Sequence, residues 1–560
     1  MLKRITMVAG SAPGRPPLEV DLSSVTVFVG PNNSGKSRAL QEIENWIRSA
    51  QPSVGLVIKK VEFEPWAKDA IEKELDDLVV QPTLQESVPP DHVLISKLNP
   101  QNNSTVRIPI HRPSLLSEAQ NPNASRHRYA TFLSLFTLKL DGANRLALTN
   151  PQSAGDLQKT APNHIAHLFV DNADREKLRK TVHDAFGKYL VIDPTKIGEL
   201  RFRLSSRQPV DESEEKNWDS RAQQFHSEAM LISDASDGVK AFVGILSTIV
   251  AGEPKVTLMD EPEAFLHPTL SYKLGKEVAV ASTETNHRIF VSTHSASFLM
   301  GCVQSGAGIN IVRLAYDYET ATARLLPKEK LAPFMHNPLL RSAGVLSALF
   351  YNAVVVTESD ADRAFYQEVN ERLIAANDGR AIPGCLFLNA QNKQTVWDIV
   401  KPLRELGIPA AGVVDIDVLK EGGAVWNKPL EGAFVPALSH PSLQAERSAL
   451  LRAFVQTGKD MKREGGIALL GASDQEACRN LLTQLAGYGV FVVERGELES
   501  WLPSLGAGAS KSKWLLTIFE KMGDDPSQLE YVHPAAGDVW DFIGGIKSWT
   551  ARGNRKGMPE

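Results

Sequence analysis

Cysteine is scarce: Cys302, Cys385 and Cys478 are the only three in 560 residues. They lie far apart and form no C-x-x-C pair, which excludes a zinc ribbon, argues against a disulfide framework and fits a reducing cytoplasm. Long apolar runs are also missing. The longest, around AFVGILSTIVAG, falls short of the roughly 20 residues a bilayer-spanning helix needs, so no membrane is expected. The opening MLKRITMVAG lacks the apolar core of a secretory signal. Nor is there an excess of positive charge: 61 basic against 66 acidic residues leave a net charge of -5. Any nucleic-acid surface must therefore be a local basic groove. What is present, 42% hydrophobic and 23% charged residues, describes an ordinary globular protein with ample core. The length suits about three or four domains.

Near the start, VTVFVGPNNSGKSRAL sets an apolar strand, a glycine-rich loop and a helix in order. GPNNSGKS, from Gly30 to Ser37, fits G-x-x-x-x-G-K-[ST] in the context that motif requires. Glycine lets the backbone from Gly30 through Asn32, Asn33, Ser34 and Gly35 curl its amides toward phosphates, and the helix N-terminus adds a favourable dipole. Lys36 is expected to reach the β- and γ-phosphates of ATP, and the Ser37 hydroxyl to ligate Mg²⁺. In KVTLMDEPEAFLHP, residues 255 to 268, a buried strand is predicted over Val256 to Met259. Asp260 and Glu261 then stand at its C-terminal end, where open α/β sheets place ligands. Asp260 is expected to hold Mg²⁺ through water and Glu261 to polarise the attacking water; a helix cap is the plain alternative. RIFVSTHSASFL follows at about one βαβ unit's distance, with His294 at another strand end facing the γ-phosphate.

Between these lies SDASDGVKAFVGIL, where Ser236 and Gly238 open an amphipathic helix whose N-terminus can bind a phosphate. Alone it reads as a plain N-cap. In order, phosphate loop, signature serine, acidic strand end and switch histidine resemble the ATP-binding-cassette ATPases, specifically the DNA-associated branch that contains structural-maintenance-of-chromosomes proteins. That resemblance implies two heads pairing head to tail, each signature helix completing the partner's ATP site, although SDASDG departs from the usual LSGG run. Roughly 200 residues separate Ser37 from Ser236, too many for one crossover. They alternate strand-like and helix-like pieces without a sustained heptad. A compact insertion over about 55–215, with a dimerisation or lid role as the default, is expected rather than a coiled-coil arm. RFRLSSRQ reads as an outer strand leading back toward the signature.

After LLPKEKLAPFMHNPLLRSAG, rich in proline and turn residues, a second domain is predicted. AVVVTESDADRAFYQEV reads strand, acidic turn, helix, with Glu358, Asp360 and Asp362 at the turn. GCLFLNAQNKQTVWDIVKPLRELGIPAAGVVDIDV ends a further strand in Asp415 and Asp417. After an insertion over about 420–465, SDQEACRNLLTQLAGYGVFVVERGELESWL ends one in Glu497 and Glu499. One acidic strand end is usually a solvated turn. Three in register imply a small parallel sheet with one acidic edge. Two carboxylates about 4 Å apart repel by roughly 4 kcal/mol at an effective dielectric of 20, so such a cluster calls for cations. Hard oxygen ligands suit Mg²⁺ or Mn²⁺, and such ions bind the attacking and leaving oxygens of a phosphodiester displacement.

A glutamate after the first strand and D-x-D after the third resemble the Toprim domain of topoisomerases, primases and nucleases, except that Ser359 stands where glycine is common. A cassette ATPase followed by Toprim in one chain resembles the OLD (overcoming lysogenization defect) family of ATP-dependent endonucleases, which includes the Gabija anti-phage endonuclease subunit. The likeness runs from about Leu2 to about Leu515. It implies Glu358 as general acid/base or metal ligand, and Asp362, Asp415 and Asp417 as metal ligands. It also implies a further acid at Glu497 or Glu499 and a phosphate-stabilising lysine at Lys511 or Lys513. The fold class expected is α/β: an ABC-type ATPase head over 1–345, a Toprim nuclease domain over 350–515 and a helical extension with a basic tail over 516–560. In that tail Lys547, Arg552, Arg555 and Lys556 surround Trp549, and a frayed, solvated terminus is expected. The function implied is ATP-regulated, metal-dependent DNA cleavage in anti-phage defence, by a homodimer or higher oligomer, with a helicase or other defence protein as partner. The alternatives are a DNA-organising ATPase whose Toprim module only binds, a nuclease acting on RNA such as tRNA, and a topoisomerase or primase.

Overall fold

Five consecutive residues, VTVFV, are all buried in the strand Val25–Val29, the pattern of a strand covered on both faces of a parallel sheet. The computed structural model describes residues 1–99, 104–142, 144–156, 161–251, 254–284, 287–316, 319–327, 329, 331, 336–338, 340, 344–508 and 511–559. Two compact units divide the chain: Met1–Val29 with Asn33–Lys328, and Glu329–Glu560 with Gly30–Asn32. In the first unit the central sheet has the order Ala321–Leu326, Ile309–Tyr316, Val25–Val29, Arg288–Ser292, Val256–Asp260, Thr137–Leu140. All neighbours are parallel except the Ala321–Leu326 edge strand. The strand expected at Val256 to Met259 runs one residue further, so Asp260 is its last residue.

A single insertion over 55–215 does not form. Ile58–Phe63 pairs with Leu2–Met7, which also pairs with Glu19–Asp21, in a three-stranded antiparallel sheet. Thr137–Leu140 is the edge of the central sheet. Ile58, Val61, Phe63, Leu138 and Leu140 are buried, and that burial binds both segments into the unit's own core. Outside these two sheets lie the hairpin His92–Asn99 with Ser104–His111 and a small antiparallel sheet built on Glu199–Ser205. That strand carries RFRLS, and its partner Met230–Leu231 leads the chain into Ser236. The longest described helices, Pro268–Glu284 and His440–Gln456, have 17 residues, so no coiled-coil arm occurs among the described residues.

The second unit holds an all-parallel sheet ordered Cys385–Asn389, Ala353–Thr357, Ala410–Asp415, Val490–Val493. The helix Asp360–Ala375 follows the first of these strands in the chain. The segment 420–465 contributes the helices Gly423–Gly432 and His440–Gln456. Residues 516–560 are not an extension and tail. The helices Lys511–Met522 and Asp538–Thr550 supply Ile518, Trp540, Ile543, Ile546 and Trp549 to the same core as Phe365, Tyr366 and Trp501. The terminus is not frayed either, because the fully buried Arg404 donates to the Gly557 carbonyl at 2.9 Å and stacks on Trp549. In VWDFIGGIKSW the apolar residues recur at helical spacing, and the intervening lysine gave the segment the look of a tail. Much of the proline-rich linker before Val345 lies outside the described residues. Among the described residues no helix is long and apolar enough to cross a membrane.

Candidate nucleotide and metal sites

In the first unit the helix Lys36–Arg48 begins after Gly35, which takes φ 92, and no side chain caps it. Asn33 also adopts a left-handed conformation, φ 61, which asparagine tolerates better than most residues. Lys36 is buried, with its Nζ 3.5 Å from Ser34 Oγ. Burial pulls its ammonium down to about 8 against the opposing charges of Glu261, Asp260 and Glu263, and a bound phosphate would raise it again by favouring the charged form. Ser37 Oγ donates to Asp260 Oδ1 at 2.8 Å, and Ser292 Oγ donates to the same oxygen. This pairing of a hydroxyl and a carboxylate from facing motifs fits Mg²⁺, for which Ser37 and Asp260 would be the protein ligands.

Glu261 is exposed and left-handed at φ 50, a conformation that costs a non-glycine residue about 1–3 kcal/mol and persists only where its surroundings impose it. They do so here from both sides. The Glu261 N–H donates to the Ser292 carbonyl at 2.9 Å, and Arg145 Nη1 donates to the Glu261 carbonyl. His294 Nε2 lies 3.5 Å from Glu261 Oε1. Burial, and next the Lys36 charge, lower the His294 pKa, which keeps the ring neutral and able to accept a proton. Glu263, a residue the sequence reading passed over, takes hydrogen bonds from Thr293 Oγ1 at 2.7 Å and the His294 amide at 2.9 Å. It thereby fixes the histidine turn.

Of the two signature residues, only Gly238 has a packing explanation. Ser236 is exposed and occupies the N-cap of the helix Asp237–Val250, but its hydroxyl makes no capping bond. A Cβ at Gly238 would stand 2.7 Å from the Phe265 carbonyl oxygen, so close backbone packing accounts for that glycine.

In the second unit two neighbouring strand ends converge, those of Ala353–Thr357 and Ala410–Asp415. Ligand atoms of Glu358, Asp415 and Asp417 lie within 4.8 Å of one another, and Glu358 Oε1 accepts from the Asp415 amide at 2.9 Å. Burial, reinforced by the Asp415 charge, pushes the Glu358 carboxyl well above the usual carboxylate range. Burial also raises Asp415, against the pull of Lys462. Asp417 Oδ1 is buried without a hydrogen-bond partner. An orphaned oxygen beside two carboxyls that resist ionisation, in an all-oxygen set, fits a hard divalent cation.

Asp362 does not join the three. Its Oδ2 accepts the Ser359 amide at 2.9 Å and hydroxyl at 2.7 Å in a capping box, while its charge still raises Asp415. Ser359 is extended at φ -133, so glycine is not needed there and serine imposes no strain. Glu497 and Glu499 both line a cleft of about 670 Å³, together with Lys462 and Trp501. Lys513 is exposed on the helix Lys511–Met522, and the side chain of Lys511 lies outside the described residues.

Among the described residues, the lysines that touch the acids are others. Lys462 Nζ is 2.6 Å from Asp415 Oδ2 and 3.7 Å from Asp417 Oδ2. Lys393 Nζ is 3.2 Å from Asp417 Oδ2 and 2.5 Å from Glu421 Oε1. Lys393 lies in the polar loop after the strand Cys385–Asn389 and Lys462 in the insertion, and neither is one of the acids that mark a strand end. In the first unit Arg145 escaped notice for the same reason.

Residues 121–300 match a family model described as "AAA domain, putative AbiEii toxin, Type IV TA system". The phosphate loop lies upstream of that match. No curated protein matches the chain. Similar solved structures include an SMC head bound to the C-winged helix domain of ScpA, with 13% identity, TM-score 0.33, and 59% of this chain and 99% of that one covered. The SMC head domain from Thermotoga maritima has 14% identity and TM-score 0.28, covering 58% and 99%. The Smc head from Pyrococcus furiosus, with an extended coiled coil and bound to a ScpA domain, has 11% identity and TM-score 0.29, covering 60% and 98%. On the family match, the chain carries an AAA-type ATPase domain, and with it a nucleotide site.

Proposed function

We propose that this chain is an ATP-regulated, divalent-metal-dependent endonuclease of the OLD kind. In this reading the second unit is a Toprim nuclease domain that cleaves DNA phosphodiester bonds in defence against phage or other foreign DNA. The observation that carries it is the convergence of Glu358, Asp415 and Asp417 within 4.8 Å at the ends of parallel strands. These three would hold a Mg²⁺ or Mn²⁺ ion, which when bound supplies Lewis-acid stabilisation of charge on a phosphoryl oxygen. Glu358, kept from ionising by burial, is suited to exchange a proton with the attacking or leaving oxygen. The neighbouring 670 Å³ cleft has room for a nucleotide unit. In the ATPase unit Glu261 orients water and His294 faces the γ-phosphate, with two chains pairing through their ATPase heads. The extended backbone at Ser359 lets serine stand without strain where glycine is common in Toprim domains, which supports this reading.

The test is incubation of the pure full chain with circular and linear DNA, and with RNA, in Mn²⁺ with and without ATP. Asp415→Ala is expected to lower cleavage by at least about 100-fold while ATP hydrolysis stays within about twofold. Cleavage surviving in that variant removes the site. Cleavage of RNA alone changes the substrate, and ATP hydrolysis with every nucleic acid intact returns the chain to the DNA-organising alternative.

A further inference from the structure

Lys462 places an ammonium group between the two acids of the D-x-D pair. Its Nζ lies 2.6 Å from Asp415 Oδ2 and 3.7 Å from Asp417 Oδ2. Its backbone is built in. The Lys462 amide donates to Asp460 Oδ1 at 2.9 Å, and its carbonyl packs so closely on Gly496 that a Cβ there would approach to 2.1 Å. Gly496 takes φ 123, a region an L side chain rarely enters. The segment 420–465 is thus clamped to the acidic strand end with this lysine pointing inward, its side chain only 20% exposed.

Charge counting then sets a limit. Glu358, Asp415, Asp417 and Glu421 face two ammonium groups, Lys393 and Lys462. A bound cation would favour the ionised form of all four carboxyls, and with them ionised two negative charges remain among the groups in direct contact, which one divalent ion neutralises. A second divalent ion would have to displace the ammonium or lie beside it, and that repulsion is twice that of two unit charges at the same distance. The geometry agrees. Asp417 Oδ2 is engaged by Lys393 at 3.2 Å, which leaves Asp417 Oδ1, buried and unpartnered, for a single ion shared with Glu358 and Asp415.

We infer that Lys462 is the resident substitute for a second metal ion, so that this cradle binds one divalent cation rather than two. The inference rests on the proposed metal site and specifies its stoichiometry.

Equilibrium dialysis of Mn²⁺ against the nucleotide-free full chain tests it, counting only the ions lost on Asp415→Asn. Wild type is expected to hold one such ion, Lys462→Met and Lys462→Gln two, and Lys462→Arg one. Circular dichroism selects the variants that fold, and the two neutral substitutions back each other. Two ions in wild type, or one in every folded neutral variant, overturns the inference and leaves the metal site standing. No Mn²⁺ lost on Asp415→Asn overturns the metal site itself, and this inference with it.

Discussion

His164 is buried in the first unit with its Nε2 2.9 Å from the Leu148 carbonyl, so that nitrogen carries the proton in the neutral ring. Burial pulls its pKa down to about 4, whereas an unfolded histidine titrates near 6.5. Between those values the unfolded chain takes up a proton that the folded one refuses, so stability falls as pH drops from about 6.5 toward 4 and is flat above. For this group the loss between pH 7 and pH 5 is about 2 kcal/mol. Urea unfolding at the two pH values is expected to show that loss in wild type and a smaller one in His164→Gln, which keeps a donor for Leu148. Equal losses in the two proteins would assign the acid sensitivity elsewhere. Arg145 is another side chain whose work is visible only in three dimensions. Its hydrogen bond to the Glu261 carbonyl holds a backbone that no local sequence rule would place in the left-handed region.

At the scale of elements, the start of the helix Asp360–Ala375 shows how the acidic turn is held. Ser359 and Asp362 exchange bonds in a capping box, so one of the acids read as a metal ligand is committed to the helix end. Ser359→Ala should cost about 1 kcal/mol and Ser359→Gly only a few tenths, measured as a shift in urea midpoint at constant slope. A glycine variant as costly as the alanine one would mean that Ser359 supplies something besides the cap. What the sequence made legible follows from how local the signal is. Apolar strand, turn and functional residue are contiguous at Asp260, Glu358 and Asp415, so their strands and strand ends could be read directly. Lys462 is fixed through Gly496 more than 30 residues later in the chain, a pairing that appears only when Glu494–Gly496 meets the end of the inserted helices. The strands Ile58–Phe63 and Thr137–Leu140 were hidden in a segment read as an insertion, because their partners lie before the phosphate loop and beyond residue 250.

Over the whole molecule, the largest departure from the sequence reading is the C-terminal segment, and it sets how the second unit should respond to truncation. Arg404 has no exposed surface and reaches the carbonyls of Ala410, Ala433, Tyr488 and Gly557. A buried guanidinium is tolerable only with such partners, and burial here lowers its pKa to about 9. Loss of Gly557 and Trp549 together would strip one acceptor and the stacking ring from a charge that water cannot reach. Trp549 is 2% exposed, so Trp549→Ala should cost about 3–5 kcal/mol. Deletion of everything after Gly537 should cost more, because it also removes Val539, Trp540, Ile543 and Ile546 from the core. Removing only the residues after Gly557 should cost less than about 1 kcal/mol. Thermal melts and limited proteolysis of the three proteins order them. A chain ending at Gly537 that melts with the full-length protein would make the terminus an appendage, whereas early cleavage within 350–515 in that chain alone is the outcome that a shared core requires.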